Sequence, residues 1–233
     1  MKADLLTRLL QARAEKRPVA LVTDMTTGMQ TLVFEDAVHG AFGLDEEFLP
    51  MVRERLAQDR SGMIEAYDGE VRLFVNAFAP PLRLIVVGAV HIAQALVPVA
   101  RLTGYAVTVV DPRGAFATES RFPDVALVTE WPDDALNGLA IDARTAVVTL
   151  THDPKLDDPA LTVALRSPAF YVGSLGSRRT HAKRLDRLRA AGLNDDELAR
   201  IHAPVGMDIG AVTQAEIAVS VMAQIIAARR RKE

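Results

Sequence analysis

The chain contains no cysteine. Disulfides, thiolate metal sites and a cysteine nucleophile are therefore excluded within these 233 residues. A basic stripe is missing as well. Lys and Arg number 27 against 30 Asp and Glu, and the net charge of -3 gives no reason to expect a nucleic-acid partner. The one basic run, Arg229, Arg230, Arg231 and Lys232, suits the carboxyl end of a last helix, where positive charge meets the negative end of the dipole. No apolar run reaches the ~20 residues that a membrane span needs. Leu84 to Ala100 comes nearest, and Gly88, His91, Gln94 and Pro98 interrupt it. Lys2, Asp4 and Arg8 stand among the first leucines, so the start reads as an amphipathic helix and not a secretion signal. A cytoplasmic protein is the simplest expectation. There is no H-E-x-x-H pair, no Gly-x-Ser-x-Gly elbow and no Walker-type loop, and no metal site is expected. Internal repeats and low-complexity segments are absent too.

What is present divides into two parts, residues 1–79 and 80–233, punctuated by Pro80-Pro81. The first part reads as a small α+β domain. Leu5, Leu6, Leu9 and Leu10 form one helix face. Val19 to Thr23 and Thr31 to Phe34 are short strands around a turn at Thr27-Gly28, and Asp45 is expected to cap a helix through Phe48, Val52 and Leu56. Met63 to Ala66 and Val71 to Val75 flank Asp68-Gly69, a strong hairpin signal. From Leu82 the pattern alternates strand and helix, which predicts a parallel sheet covered by helices. Strands are expected at Leu84 to Val87, Val107 to Val110, Val125 to Val128, Ala146 to Leu150 and Phe170 to Val172. Helices are expected over His91 to Leu102, from Asp158-Pro159 and over Arg178 to Ala190. Asn194 with Glu197, and Thr213 with Glu216, have capping-box spacing. The fold class is therefore α/β: a Rossmann-like parallel-sheet domain preceded by a small α+β domain.

Two glycine turns carry the chemistry. The first, Gly88-Ala89-Val90-His91-Ile92-Ala93, follows the first strand of the second part and opens a helix. It matches the dinucleotide fingerprint G-x-G-x-x-G/A at its first and last positions. Val90 stands where the middle glycine would let the backbone approach a pyrophosphate. Asp111 ends the second strand, where a carboxylate can accept from ribose hydroxyls. The second turn, Gly173-Ser174-Leu175-Gly176-Ser177-Arg178-Arg179, is the better anion site. Its glycines free the backbone, its serines offer hydroxyls, and the helix behind it offers unpaired N–H groups. Arg178 and Arg179 add charge suited to phosphate; the lesser alternative is a glycine loop with Ser177 acting only as the helix cap. His91 and His152, with Asp153 and Lys155 beside the latter, should face the same crevice and are candidates for hydrogen bonding or proton transfer. His39, His181 and His202 read as surface or packing residues. Gly206 to Gly210 either lines the crevice or shapes the chain.

Gly88 to Ala93, Asp111-Pro112-Arg113, Thr151-His152-Asp153-Pro154-Lys155, Gly173 to His181 and His202 to Gly210 resemble the xanthine dehydrogenase accessory factor family (XdhC/CoxI). The runs Leu-Gly-Ser-Arg-Arg-Thr-His and Ile-His-Ala-Pro-Val-Gly-Met-Asp-Ile-Gly are the most distinctive, and the resemblance covers roughly residues 80–229. It implies a Rossmann-like domain that binds molybdenum cofactor (molybdopterin), protects it during sulfuration and hands it to a molybdenum hydroxylase apoenzyme. A cysteine desulfurase as a further partner and a homodimer are implied with it. The resemblance makes Gly88, Ala89, Val90, His91, Asp111, Arg113, His152, Asp153, Gly173, Ser174, Gly176, Ser177, Arg178 and Arg179 candidates for cofactor binding. The sequence departs from the family at Val90, where many relatives have Gly, and in its short first domain. Lacking any thiol, the chain cannot carry a persulfide, so either sulfur would come directly from the desulfurase or this member does not support sulfuration. The leading expectation is a cofactor-binding accessory protein, not an enzyme. The alternatives are an NAD(P)-dependent oxidoreductase and a non-catalytic interaction module.

Overall fold

The computed structural model describes residues 2–40 and 42–230. Arg231 and Lys232 of the basic run lie outside these residues. The chain divides into two compact units, Met1–Pro80 and Pro81–Glu233.

The first unit is built on an antiparallel sheet. Its strands are β1 (Val19–Asp24), β2 (Gln30–Val33), β3 (Val38–Gly40), β4 (Gly62–Ala66) and β5 (Val71–Phe78), in the order β3-β2-β1-β5-β4. Alternation along β1 feeds two cores. Val19 and Leu21 pack with Leu5, Leu9 and Ala12 of α1 (Ala3–Ala14) on one face. Ala20 and Val22 pack with Phe48, Val52 and Leu56 of α2 (Phe48–Ala57) on the other. The β4–β5 hairpin turns through Asp68 and Gly69, both at positive φ (54° and 91°), under a 3.1 Å bond from the Glu70 N–H to the Tyr67 carbonyl, as a primed turn requires. Asp45 does not cap α2 with its side chain. The helix starts at Phe48 after Glu47, with no side-chain cap, and Asp45 contributes only its carbonyl to the Phe48 N–H at 3.0 Å.

The second unit is a parallel sheet. Its strands are β6 (Arg83–Val87), β7 (Ala106–Val110), β8 (Ala126–Val128), β9 (Thr145–Thr149), β10 (Tyr171–Ser174) and β11 (Ile201–His202), in the order β11-β10-β9-β6-β7-β8. Counted from β6 this is the doubly wound order of the Rossmann fold, with its switch point between β6 and β9. The helices are α3 (His91–Leu102), α4 (Pro132–Gly138), α5 (Pro154–Arg166), α6 (Arg178–Ala190), α7 (Asp195–Ala199) and α8 (Gln214–Arg230). Leu84 and Val86 of β6 face a core shared with Leu96 of α3 and Val221 and Ile225 of α8. Ile85 and Val87 face a second core with Leu136 of α4, Leu161 of α5 and Leu188 of α6. Burial on both faces explains why β6 reads as one continuous apolar run.

The cap signals mark helix starts. Asn194 and Glu197 form a reciprocal capping box at α7. Thr213 and Glu216 do the same before α8, with bonds of 3.2 and 2.8 Å. The α5 expectation is corrected. The helix begins at Pro154, capped by Asp153, whose carboxylate accepts from the Lys155 N–H at 2.9 Å, and Pro159 lies inside it. Pro154 takes the first-turn position, where a missing N–H costs nothing. Strands β3 and β11 and helix α4, of three, two and seven residues, are additions to the elements expected from sequence.

Leu161 is fully buried in the α5 core, whereas Leu102 at the end of α3 is 88% exposed. Leu161→Ala should lower stability by about 2–5 kcal/mol, and Leu102→Ala should stay within about 0.5 kcal/mol of the parent. Urea titration of the two variants checks the pair.

Candidate functional site

Strands β6, β9 and β10 end side by side, and a cavity of about 690 Å³ opens beyond their carboxyl ends. This is the place where doubly wound sheets bind ligands, and the volume falls within the range of small-molecule sites. Val90 and His91 line it from the start of α3, Arg113 from the segment after β7, and His152 and Asp153 from the segment after β9. Leu175, Val212 and Ile217 add apolar surface.

Gly88 makes this geometry attainable. Its φ is +110°, and a Cβ there would lie 2.5 Å from Cγ2 of Thr151. Only glycine lets the β6 turn pass so close to the β9 turn. The next residue, Ala89, is buried and donates its N–H to Oδ2 of Asp111 at 2.8 Å.

Asp111 is positioned differently from the ribose-binding expectation. It is fully buried, and both oxygens are engaged. Oδ1 accepts from the Arg113 N–H at 2.9 Å and from its Nε at 2.8 Å. Oδ2 accepts from Ala89 and from Arg113 Nη2 at 2.7 Å. Burial pushes this carboxyl up, but the Arg113 and Ala89 donors outweigh it and hold the pKa below the usual aspartate range. The function of Asp111 is thus to fix Arg113, whose guanidinium also packs over the Phe116 ring at 4.7 Å.

The second glycine turn is largely turned inward. Ser174 is fully buried and shares a 2.6 Å hydrogen bond with Thr149 across the sheet. The chain also packs closely at Gly173, where a Cβ would lie 2.7 Å from Val205 and 2.8 Å from the Tyr171 hydroxyl. Ser177 caps α6, accepting from the Thr180 N–H at 3.2 Å. Gly176 turns the chain at φ +137°. Arg178 is exposed and does not line the main cavity, and Arg179 lines a smaller neighbouring one. His202 stacks on Tyr171 with centroids 4.6 Å apart, and Met207 of the Gly206–Gly210 turn donates its N–H to the Ser220 carbonyl.

Sequence reasoning missed a buried polar chain under the cavity floor. Thr151 donates to Asp157 Oδ1 at 2.6 Å, and Asp157 Oδ2 lies 3.7 Å from Nη2 of Arg184. Asp157 and Arg184 sit within α5 and α6, where no motif flags them. Burial is the main cause that pushes Asp157 up to about 6, against the Thr151 hydrogen bond and the Arg184 charge.

Residues 84–225 match the family model of the XdhC Rossmann domain, more than half of the chain. The chain belongs to the XdhC family. A molybdenum cofactor insertion chaperone, PaoD of Escherichia coli, is 33% identical over 160 residues, 69% of this chain and 44% of PaoD. A protein of Bacillus subtilis described as a probable subunit of xanthine dehydrogenase is 34% identical over 166 residues, 71% of this chain and 48% of that one. The chain thus spans less than half the length of these curated relatives. The crystal structure of a xanthine dehydrogenase from Bacillus halodurans superposes with a TM-score of 0.74 at 25% identity, covering 99% of this chain and 65% of that one. Among the described residues no helix is long and apolar enough to cross a membrane, and no group of three or more His, Cys, Asp or Glu side chains is placed to hold a metal ion. Val90, His91, Arg113, His152 and Asp153 thus line a crevice above a buried polar chain, and the Gly173–Arg179 turn contributes only Leu175 to it.

Gly88→Ala should cost at least about 1–2 kcal/mol, from the left-handed backbone and the contact with Thr151 together; a melting temperature equal to the parent's would refute the close approach. Folded Asp157 holds its proton more tightly than an unfolded aspartate at 3.8. Its contribution to stability is therefore complete below that value and is lost as pH rises through about 6. The stability of the parent relative to Asp157→Asn should accordingly fall across that window in denaturant titrations, and a flat difference would count against the buried carboxyl.

Proposed function

We propose that this chain is an accessory protein that receives molybdenum cofactor in the 690 Å³ cavity and assists its maturation or its insertion into a molybdenum hydroxylase such as xanthine dehydrogenase. The observation that carries the reading is this cavity at the sheet switch point of a chain in the XdhC family. The name of the PaoD relative supports it.

The residues present suit the group. A pterin needs polar partners at its edge, and the two exposed imidazoles of His91 and His152 line the cavity. An electron-rich ligand edge also suits a fixed cation, and Arg113, which lines the cavity, is locked in place by Asp111. The first turn of α3 adds N–H groups that lack carbonyl partners in the helix. Val90, Leu175 and Ile217 supply an apolar wall. The cofactor's redox chemistry belongs to the client enzyme; the residues of this chain hold, orient and shelter it.

The partners in this reading are the molybdenum hydroxylase apoenzyme and, because the chain has no thiol of its own, a cysteine desulfurase that delivers sulfur directly. A homodimer and a cytoplasmic setting belong to the same proposal. An NAD(P)-dependent oxidoreductase is less well supported, because the carboxylate that would bind ribose is filled by Arg113 and Ala89.

Protein purified from cells that make the cofactor should release a molybdopterin species near stoichiometry on denaturation, identified by mass spectrometry. His152→Ala, at an exposed position, should keep its fold and weaken cofactor binding about tenfold. Release of a nicotinamide dinucleotide instead, or no affinity for added molybdopterin, would sink the proposal.

A further inference from the structure

Beside the main cavity lies a smaller one of about 170 Å³, and His152 and Pro154 line both. Its volume is below that of a whole-ligand site and suits a single chemical group. Four cations line it: Arg179, Lys183, Arg184 and Arg187. Arg187 is paired with Asp158, its Nε and Nη2 lying 2.5 and 3.0 Å from the two carboxylate oxygens. Among the described residues, Asp157 is the only carboxylate in the lining. Positive charge is therefore in excess.

Arg184 is the decisive residue. It is 1% exposed, yet only one of its three nitrogens is hydrogen-bonded among the described residues. Nη2 donates to the Leu175 carbonyl at 2.8 Å, and Asp157 stands off at 3.7 Å. Nε and Nη1 are buried without a hydrogen-bond partner among those residues. A buried guanidinium normally has its donors filled, because an unmade bond to a charged group is expensive. Its field is felt locally: burial and the Arg184 charge together hold the His181 imidazole below its ordinary range.

We propose that this small cavity is an anion subsite that takes a phosphate group, with Arg184 at its floor and Arg179 and Lys183 closing over it from α6. A tetrahedral oxyanion offers acceptors in several directions, which suits a guanidinium from below and flexible cations from above. Arg179 stands in the glycine turn whose sequence suits phosphate, but Lys183, Arg184 and Arg187 lie beyond that turn, inside α6. The existence of the subsite does not rest on the proposed function; only the source of its phosphate does, either the end of a ligand lying in the larger cavity or a free ion.

Isothermal titration of the full chain with inorganic phosphate and pyrophosphate, at constant ionic strength in chloride, tests this. Saturable binding is expected, weakened about tenfold in Arg184→Gln and several-fold in Arg179→Ala/Lys183→Ala. The double variant removes only exposed side chains, so it decides the matter even when Arg184→Gln fails to fold. No saturable binding, or equal affinity in parent and double variant, overturns the subsite. A second titration separates the sources. Competition between phosphate and molybdopterin assigns the group to the cofactor, and simultaneous binding assigns it to a free ion. Failure of molybdopterin to bind while phosphate still does would remove the carrier reading and leave the subsite standing.

Discussion

The second unit depends on how closely β6 and β9 end beside one another. The two strands are paired in parallel from Arg83–Thr145 to Val87–Thr149, and both are buried on both faces. Two strands held this way must turn off the sheet at nearly the same place. The turn succeeds because Gly88 has no Cβ to meet Thr151 and because its backbone accepts φ +110°. Thr151 is thereby pressed over the interior, where its hydroxyl finds Asp157 at 2.6 Å. Asp157 in turn faces Arg184. A steric constraint at one glycine thus propagates as a line of polar contacts from the mouth of the sheet to α6.

Asp111 performs the corresponding work on the other side of β6. Its four accepted hydrogen bonds tie the β6 turn, through Ala89, to the segment after β7, through Arg113. A buried carboxylate with both oxygens doubly engaged is stable as an anion and unavailable to a ligand. What reaches the cavity is not this charge but the guanidinium it orients. The carboxylate at the motif position after the second strand is thus a brace, and the arginine two residues on is the group that lines the cavity.

Much of this was legible in the sequence because it rests on local rules. Helices α3 and α6 fall where Val90-His91 and Ser177-Arg178 open them, and the capping boxes at Asn194 and Thr213 are formed by the residues that spacing named. Strands buried on both faces announce themselves as apolar runs. The start of α5 is ambiguous in sequence because two Asp-Pro pairs compete, at Asp153-Pro154 and Asp158-Pro159, and only the fold shows which one stands at a strand end. Strand β11 is two residues long and carries no period. The site was partly legible. Val90, His91, Arg113, His152 and Asp153 do meet around one cavity. Ser174 looks like a ligand donor when a glycine turn is assumed to start at Gly173; instead it still lies within β10 and pairs with Thr149. Asp157 and Arg184 were invisible, since a charged residue within a helix reads as solvated surface until burial is known.

Arg184 is where the energetic argument is sharpest. Burying a guanidinium costs several kcal/mol unless its donors are filled. Here one carbonyl and one distant carboxylate face five N–H groups. Leu188, one turn further along the same helix, fills its own core position with an apolar side chain. A methionine or leucine at 184 would avoid the cost of the buried cation, and an apolar residue at 157 would avoid that of its partner. A structure that keeps both groups, sets them 3.7 Å apart, and has a cation-lined cavity beside the guanidinium fits the proposed anion subsite. An anion there would satisfy the donors and release Arg184 from sole dependence on Asp157. The Thr151 floor of the larger cavity and the smaller pocket would then be coupled through a single carboxylate.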